Sequence, residues 1–397
     1  MEVKAGYKQT EVGVIPEDWE VTPVGEAYEI CNNLRLPISR TVRKQMEGPY
    51  PYYGPTSIQG YINEYRVEGE YALIGEDGDH FLKWREQSMT LLVRGRFNVN
   101  NHAHLIRGTK NLTTWFYYYF AHRDITQLLT RQGAGRFKLN KRTLIEIPCA
   151  LPLRSEQEAI IEALSDADAL IEALEQLLAK KRQVKQGAMQ ELLTGKKRVV
   201  ESGKWEVKSF GELVTVRNQK VDPRKIAEPL FCVELEHIDQ GTGRLIGSTE
   251  TSNTSSIKTV FKKGDVLFGK LRAYLRKYWL ADRDGVCTTE IWALVANPQI
   301  TTKEYLFQLV QMDGFIEAAS MAYGTHMPRT DWNVVRKYEF LIPNISEQTA
   351  IAEILSDMDA EITALEGKLS KAREVKAGMM SVLLTGRIRL VESGKPE

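Results

Sequence analysis

The chain has 397 residues, of which 43% are hydrophobic and 26% are charged, a length and composition typical of a globular protein with two or three domains. Its four cysteines are far apart and form no CxxC pair, which argues against a disulfide framework or a zinc ribbon and favours a reducing compartment. A polar N-terminal sequence and the lack of any apolar run of about 18 residues predict a cytoplasmic protein with no membrane partner, and a formal net charge of +1 supplies no overall attraction to nucleic acid.

The first segment, residues 1–154, predicts an α+β domain. Strand patterns occur in "EGEYALIG" at 68–75, "MTLLVRG" at 89–95 and "AHLIRG" at 103–108, and a helical pattern occurs in "TTWFYYYFAHRDITQLL" at 113–129. Mixed short strands and helices of this kind are typical of a small α+β core.

A long helix is predicted next, within residues 155–204. Its apolar positions advance by alternating steps of four and three, at Ile160, Leu164, Ala167, Ile171, Leu174 and Leu178. We expect Ser155 to cap this helix and Gly195 to end it. All charged residues from Ser155 to Ala179 are acidic, so this part of the predicted helix is strongly acidic.

The second segment, residues 205–345, also predicts an α+β domain. "KKGDVLFG" at 262–269 and "EIWALVA" at 290–296 have strand patterns, and "TKEYLFQLVQMDGFIEAA" at 302–319 has a helical one. This segment shares a frame with the first one, opening on "WEV" and closing on a proline-containing stretch before "SEQ", but little else.

A second copy of the helix fills residues 346–397. Residues 155–204 and 346–395 are identical at about 32 of 50 positions, which indicates a duplication. The second seam consists of Ile351, Leu355, Met358, Ile362, Leu365 and Leu369, with Ser346 as the expected cap and Gly386 as the expected stop. Helices of about 40 residues are roughly 60 Å long, and a single apolar seam of that length needs a partner, for which the other copy is the nearest candidate. The alternative is that each helix packs separately on its own domain.

The two repeats also predict that the chain closes on itself. "VESGK" at 200–204 leads into Trp205, whereas the same letters at 391–395 are followed only by Pro396 and Glu397, and the matching "DWEV" stands at 18–21. We therefore expect an α+β fold with two globular domains separated by two long antiparallel coiled-coil helices, in a pseudo-twofold circular organisation. The expected boundaries are 1–154, 155–204, 205–345 and 346–397.

Sequence motifs for catalysis are weak. "GTGRLIG" at 241–247 has the wrong spacing for a dinucleotide fingerprint, and "ANPQ" at 296–299 is not an adenine-methyltransferase motif. His102 and His104 would share one face of a strand, but no further metal ligands accompany them, and no serine or cysteine lies in a nucleophile elbow. We therefore expect a chain that is not an enzyme and that binds no metal or cofactor.

Several stretches mix arginine or lysine with tyrosine, asparagine, threonine and glycine, a composition that suits contacts with duplex DNA. They lie at 50–61 and 93–102 in the first segment, and at 269–279 and 323–332 in the second. The residues predicted to contact DNA are Arg94, Arg96, Asn98, Arg136, Lys138, Lys270, Arg272, Tyr274, Arg276, Thr325, His326 and Arg329. For any single one of them, a core tyrosine or a merely solvated cation is an equally good interpretation.

Together these features resemble the specificity subunit of type I restriction-modification systems. The resemblance rests on "YKQTEVGVIPEDWEV" at 7–21, "YPYYGPTSIQGYI" at 50–62, "GKLRAYLRK" at 269–277 with "DGVCTTEI" at 284–291, and the repeated helix from "SEQ" to "LLTG". It covers essentially the whole chain.

The resemblance implies that the two globular segments are target recognition domains, each reading one half of a bipartite DNA site, and that the repeated helices form the spacer between them. It also implies a non-catalytic chain that binds double-stranded DNA and carries two modification subunits, which methylate adenine using S-adenosylmethionine, and restriction subunits, which use ATP and magnesium. The acidic helical repeats are the expected docking sites for the modification subunits. Two alternatives stay open: a coiled-coil scaffold that does not bind DNA, and a specificity subunit of a fused, Type IIB-like enzyme.

Overall fold

The computed structural model describes residues 4–132, 136–200, 203–321 and 328–390, with the backbone alone at residues 131, 132 and 136. The chain forms two compact units, one made of residues 1–174 and 368–397 and the other of residues 175–367. Each unit therefore contains one globular segment, one half of the first long helix and one half of the second.

The first unit is built around a six-stranded sheet. The strands of the whole unit are β1 (Tyr7–Thr10), β2 (Gly13–Pro16), β3 (Glu20–Pro23), β4 (Tyr28–Ile30), β5 (Tyr50–Tyr53), β6 (Ile58–Ile62), β7 (Val67–Gly75), β8 (Thr90–Val99), β9 (Ala103–Gly108), β10 (Thr130–Gln132), β11 (Arg136–Lys138) and β12 (Pro148–Leu151). Its helices are α1 (Val24–Ala27), α2 (Arg40–Gln45), α3 (Thr113–Ala121), α4 (Lys141–Glu146) and the start of α5 (Arg154–Leu192). The sheet order is β4-β9-β7-β8-β5-β6, and the pairs β1-β2, β3-β12 and β10-β11 stand apart. Buried Trp115, Phe116 and Phe120 of α3 anchor the core between the sheet and the long helices.

The second unit contains a four-stranded sheet, a five-stranded sheet and a separate pair of strands. Its strands are β13 (Glu206–Ser209), β14 (Val214–Val216), β15 (Lys220–Val221), β16 (Phe231–Val233), β17 (Thr249–Glu250), β18 (Lys258–Phe261), β19 (Val266–Gly269), β20 (Tyr278–Leu280), β21 (Gly285–Thr288), β22 (Ile291–Ala296) and β23 (Glu339–Ile342). Its helices are α6 (Phe210–Leu213), α7 (Lys303–Leu309), α8 (Asp313–Ser320), α9 (Trp332–Val335) and the start of α10 (Ile345–Leu383). The sheet orders are β14-β22-β19-β20 and β15-β18-β21-β16-β17, and β13 pairs with β23.

The helix predicted at 302–319 is two helices. Its chain leaves the helical conformation at Met312, whose ψ is 137°, and resumes it at Asp313. The Gly314 that follows lies so close to Tyr338 that a Cβ there would come within 2.6 Å of the tyrosine hydroxyl oxygen. The apolar periodicity survives this break, which is why the sequence pattern alone indicated a single helix.

The two long helices are continuous over 39 residues each, as the seams predict. Seam residues Ile160, Leu164, Ile351 and Leu355 are completely buried. Both helices end where a glycine follows in the left-handed region, with a φ of 71° at Gly195 and 68° at Gly386.

The caps were predicted wrongly. Ser155 and Ser346 lie inside the first helical turn, because α5 begins at Arg154 and α10 begins at Ile345. The capping side chain of α10 is Asn344, whose Oδ1 accepts the backbone N–H of Glu347 at 3.0 Å.

Within each unit the two helix halves run antiparallel and form equivalent ion pairs. In the first unit Lys376 of α10 pairs with Asp168 of α5. In the second unit Lys185 of α5 pairs with Asp359 of α10 at 2.6 Å. The residues of one pair are the repeat counterparts of the other, 191 positions apart, so the helix pairing itself is duplicated.

A buried glutamate ties the first globular segment to both helices in the first unit. Glu156 of α5 is fully buried, and its carboxylate accepts the indole N–H of Trp19 at 2.9 Å. Arg389, beyond the end of α10, donates to both oxygens of the same carboxylate at 2.6 and 2.9 Å. Arg389 also donates to Asp18 at 2.6 and 2.9 Å. We refer to Trp19, Glu156 and Arg389 as the first clamp.

The second unit contains the same arrangement. Buried Glu347 of α10 accepts the indole N–H of Trp205 at 3.1 Å and two N–H groups of Arg198 at 2.7 and 2.8 Å. In this second clamp Arg198 and Trp205 are close in sequence, whereas in the first clamp the arginine and the tryptophan come from opposite ends of the described chain. Trp19 and Arg389 therefore meet on Glu156 as Trp205 and Arg198 meet on Glu347, which confirms the predicted circular organisation within the first unit.

Candidate nucleic-acid interface

The loop between β19 and β20 in the second unit carries four of the predicted residues. Arg272 and Arg276 flank a single 3₁₀ turn and both adopt left-handed backbone conformations, with φ of 54° and 51°. This region is unfavourable for residues with a Cβ and persists only where the surrounding structure imposes it, most often at functional sites.

Several backbone hydrogen bonds impose that conformation on the loop. The N–H of Arg272 donates to the carbonyl of Pro328 at 2.9 Å, and the carbonyl of Arg276 accepts from Gly241 at 2.9 Å. Lys270 is held on both sides, by the carbonyl of Glu290 and by the N–H of Thr330. The loop is therefore a fixed platform for its side chains.

The cations on this platform differ in their partners. Arg276 donates to Asp313 at 2.5 Å and Arg329 to Glu290 at 3.0 and 3.1 Å, so both charges are balanced inside the unit. Arg272 is exposed and Tyr274 is 52% exposed. Among the described residues, neither Arg272 nor Lys270 has a carboxylate within salt-bridge distance. Arg272 is therefore the residue of this loop that is most available to an anionic ligand.

Two predicted residues of this unit, Thr325 and His326, lie outside the described residues. Their neighbour Arg329 is on the platform, because its backbone forms an antiparallel bridge with Leu271.

In the first unit the predicted arginines lie on the exposed face of the six-stranded sheet. Arg94 and Arg96 of β8 stand directly opposite Glu70 and Glu68 of β7 in the strand register and pair with them at 2.7 and 3.1 Å. Cross-strand pairs of this kind neutralise the arginines in place, so a DNA phosphate would have to displace a carboxylate. Their contact with DNA stays a prediction.

Asn98 is a correction to the predicted set. Its side chain is completely buried, and its amide donates to the backbone carbonyl of Glu64 at 2.7 Å. Residue 98 has the same strand parity as the exposed Arg94 and Arg96, but residues 97–100 are all buried where β8 pairs with β5, a tertiary pairing that the mixed polarity of the sequence did not reveal. The Asn98 side chain therefore cannot contact DNA in this structure.

Lys138 belongs to a cluster around Glu76. The Glu76 carboxylate pairs with Arg35 at 2.6 Å and with Lys138 at 3.6 Å, and buried His104 is 4.0 Å away. Burial lowers the pKa of His104, whose two ring nitrogens bond to Asn32 and to the carbonyl of Leu139. The cluster thus joins β7, β9 and β11 and has a structural part in the fold. For Arg136 the structure describes only the backbone, in β11.

The residues predicted to contact DNA include none from a basic and apolar surface formed by α2 and β6, although the stretch 50–61 was among those whose composition suits DNA. The exposed side chains of this α2–β6 surface are Arg40, Val42, Lys44, Gln45, Ile58, Tyr61, Asn63, Tyr65 and Arg66. The basic cluster "SRTVRK" at 39–44 was visible in the sequence, but its placement beside the "YPYYGPTSIQGY" hairpin depends on tertiary packing.

Metal-binding clusters and membrane-spanning helices are both absent from the described residues. Residues 4–132, 136–200, 203–321 and 328–390 contain no group of three or more metal-binding side chains. Over the same residues, no helix is long and apolar enough to cross a membrane.

Comparison with known proteins gives the family of the chain. The type I restriction modification DNA specificity domain family matches residues 16–184 and 202–373, one copy for each globular segment and its helix. The chain belongs to this family. It is a DNA specificity subunit, and its DNA-binding role follows from the family.

Relatives extend the match along the chain. The MjaVIII type I restriction enzyme specificity subunit of Methanocaldococcus jannaschii is 23% identical over 408 residues, covering 95% of this chain and 94% of that protein. S.HindORF215P of Haemophilus influenzae is 36% identical over 154 residues, which are 38% of each chain. Among solved structures, the type I restriction-modification S subunit of M. genitalium has the same fold, with a TM-score of 0.62, 13% identity, and coverage of 96% of this chain and 98% of that one.

Each unit of this specificity subunit has a cleft between its globular segment and the helix pair. The clefts measure about 760 Å³ in the first unit and about 720 Å³ in the second. Their helix walls consist of repeat counterparts: Asp168, Ile171, Arg373, Lys376, Met380 and Thr385 in the first, and Asp359, Ile362, Arg182, Lys185, Met189 and Thr194 in the second. The walls contributed by the globular segments differ. The helix walls of the two clefts therefore present the same set of side chains to a binding partner.

Proposed function

We propose that the chain reads a bipartite, asymmetric DNA site, with each globular segment acting as a target recognition domain for one half. The observation that carries the proposal is the combination of duplicated supports with different readers. Both segments are held by the same tryptophan, glutamate and arginine clamp, yet their exposed loops share little sequence. Two equivalent clamps that hold globular segments with different exposed loops suit a DNA target whose two halves differ in sequence.

The proposal assigns the repeated helices to the partner subunits. Two modification subunits dock on α5 and α10, because the duplicated helix walls and the exposed acidic residues of both helices offer two equivalent surfaces. Restriction subunits join this assembly to form the full complex. The equivalence of the two surfaces supports this part of the proposal.

The chemistry of the complex then belongs to the partners. The chain itself is non-catalytic and holds no cofactor; S-adenosylmethionine is bound by the modification subunits, and ATP with magnesium by the restriction subunits. Since the complex acts on cellular DNA, we assign it to the cytoplasm.

The proposal is tested by expressing the chain with a modification subunit and mapping the methylated adenines in the host genome. The expected result is one asymmetric motif with two specified halves and an unspecified spacer. Methylation that lacks a bipartite motif, or no methylation in the presence of an active modification subunit, would contradict it.

Other functions predict different results. A scaffold that does not bind DNA would give no salt-dependent shift of duplex DNA even with the modification subunit present. A subunit of a fused, Type IIB-like enzyme would bind DNA in the same way but would act with a partner that also cuts, and in vitro cleavage by the purified two-component complex separates that case.

A further inference from the structure

The α2–β6 surface of the first unit is held rigidly by its own buried anchor. The Tyr52 side chain is fully buried; its hydroxyl donates to the carbonyl of Leu36 at 2.6 Å and accepts the N–H of Ile38 at 3.2 Å, just before α2 begins. Arg43 of α2 lies over the Tyr52 ring at 4.8 Å. At the other end of α2, the N–H of Asn63, the residue after β6, donates to Met46 at 2.7 Å. The short helix is thus fixed on the β5–β6 hairpin.

Exposed apolar side chains are concentrated on this surface. Val42, Ile58, Tyr61 and Tyr65 are between 38% and 53% exposed. Single exposed apolar residues are ordinary, whereas several on one small surface indicate a binding site.

The charge on this surface is positive and unbalanced. The six residues of α2 include Arg40, Arg43 and Lys44 and no acidic residue. Across the described chain, Arg40, Lys44 and Arg66 have no carboxylate within salt-bridge distance. The arginines of the neighbouring sheet face, Arg94 and Arg96, each have one. Free cations therefore lie on the α2–β6 surface rather than on the sheet.

We propose that the α2–β6 surface is the DNA-reading surface of the first recognition domain, an inference that rests on the proposed function. Arg40 and Lys44 contact phosphates, and the exposed amides of Gln45 and Asn63 read base edges, since asparagine and glutamine side chains match adenine in the major groove. Exposed apolar side chains on the same surface contact thymine methyl groups.

A duplex fits this surface better than a protein partner does. Protein interfaces are depleted in lysine and in uncompensated charge at their centre, whereas this surface combines exposed apolar residues with cations that have no carboxylate partner among the described residues. Glu47 and Glu64 are exposed acidic residues next to these positions in the chain, and among the described residues neither pairs with a cation of this surface. Arg40, Arg43, Lys44 and Arg66 outnumber them, so the net charge is positive.

The test uses the full-length chain, assembled with its modification subunit, and a pool of randomised 40-bp duplexes. Selection by the wild type gives the two-part motif, after which the double variant R40A/K44A is compared on the selected duplex. We expect affinity to fall about 10- to 100-fold and the base preference to disappear at one half only. The slope of log K against log salt should become shallower by about 1 for each phosphate that the variant no longer neutralises.

The matched control is K141A/R142A. It removes two exposed cations from α4, another six-residue helix of the same unit. The control should bind like the wild type, with both halves specified. Melting curves of both double variants check that each is folded, and R40K/K44R should recover most of the salt slope.

The outcomes separate the inference from the function on which it rests. If the wild type selects no motif, the proposed function fails, and the inference fails with it. If the wild type selects a two-part motif but R40A/K44A keeps both halves and its affinity, only the α2–β6 surface is excluded. An equal fall in affinity for R40A/K44A and for K141A/R142A would likewise overturn it, because the loss of affinity would then come from the lower positive charge of the unit and not from this surface.

Discussion

Arg272 and Arg276 share a left-handed backbone conformation, but only Arg276 has an anchored side chain. Strain of this kind costs on the order of 1 kcal/mol per residue and is retained where function requires it. Glycine adopts the same conformation without strain. At position 272, glycine would therefore favour stability, whereas arginine favours DNA binding.

Substitution of Arg272 should separate its effect on stability from its effect on DNA binding. Arg272→Gly is expected to keep or raise the melting temperature of the chain, while Arg272→Ala keeps the strain; both should weaken DNA binding by about 1 to 3 kcal/mol and relax only one half-site. Thermal melts and half-site binding assays of the two variants measure this. Weaker reading of both halves, or of neither, would show that Arg272 does not read the second half-site.

The first clamp predicts a large stability effect from a residue near the end of the described chain. Arg389→Ala would leave the fully buried Glu156 without its cation, which should cost about 3 kcal/mol of stability in the first unit. Arg387→Ala is the control, since this exposed residue lies two positions away and should change stability by less than about 0.5 kcal/mol. Hydrogen exchange resolved by segment is the measurement, and equal protection in both variants would contradict the role of the clamp.

Asp18 adds a pH dependence to this clamp. The hydrogen bonds from Arg389 lower the pKa of Asp18 below its usual value of about 4. A carboxylate whose pKa is lower in the folded state stabilises that state above the unfolded pKa, and the contribution disappears as pH falls through the folded pKa. The melting temperature of wild type should therefore exceed that of Asp18→Asn at pH 6, and the difference should shrink towards pH 2.5. A pH-independent difference would exclude this linkage.

At the scale of elements, the repeated helices were predictable and the partners of the arginines were not. A seam that advances by three or four residues from Ile160 to Leu178 predicts a helix from local sequence alone, and α5 contains that whole stretch. The pairing of Arg94 with Glu70 depends on the register of β7 and β8, which single-strand patterns do not contain. The left-handed conformation of Arg272 likewise comes from a hydrogen bond to Pro328, 56 positions away in the chain.

The helices themselves should act as a ruler between the two half-sites. Four residues inserted after Leu178 and four after Leu369 lengthen each helix by about 6 Å and rotate its far end by about 40°. With base pairs about 3.4 Å apart, the spacer between the half-sites should grow by one or two base pairs. Mapping the methylated motif directed by the variant tests this, and an unchanged spacer would refute it.

At the scale of the whole molecule, the duplicated contacts predict that half of the chain can substitute for the other half. In a fragment of residues 1–204, Lys185 of a second copy can pair with Asp168 in place of Lys376, and Arg198 can bind Glu156 in place of Arg389. This fragment should form a homodimer and, with the modification subunit, direct methylation of an inverted repeat of the first half-site. Light scattering and the methylated sequence are the measurements. A stable monomer, or a dimer that specifies the original asymmetric site, would show that the two helices are not interchangeable.

The first unit is interrupted by the second, and this order has a consequence for synthesis on the ribosome. Residues 175–367 form a continuous unit, whereas Leu174 and Lys368, both in the first unit, are separated by the whole of it. At roughly 5 to 20 residues per second, translation reaches Lys368 on the order of 10 to 40 seconds after Leu174. During that interval the first domain has its sheet but lacks Leu383, Leu384 and Arg389 against its core and its buried glutamate. The second domain, although made later, is therefore the first whose residues are all present in the nascent chain.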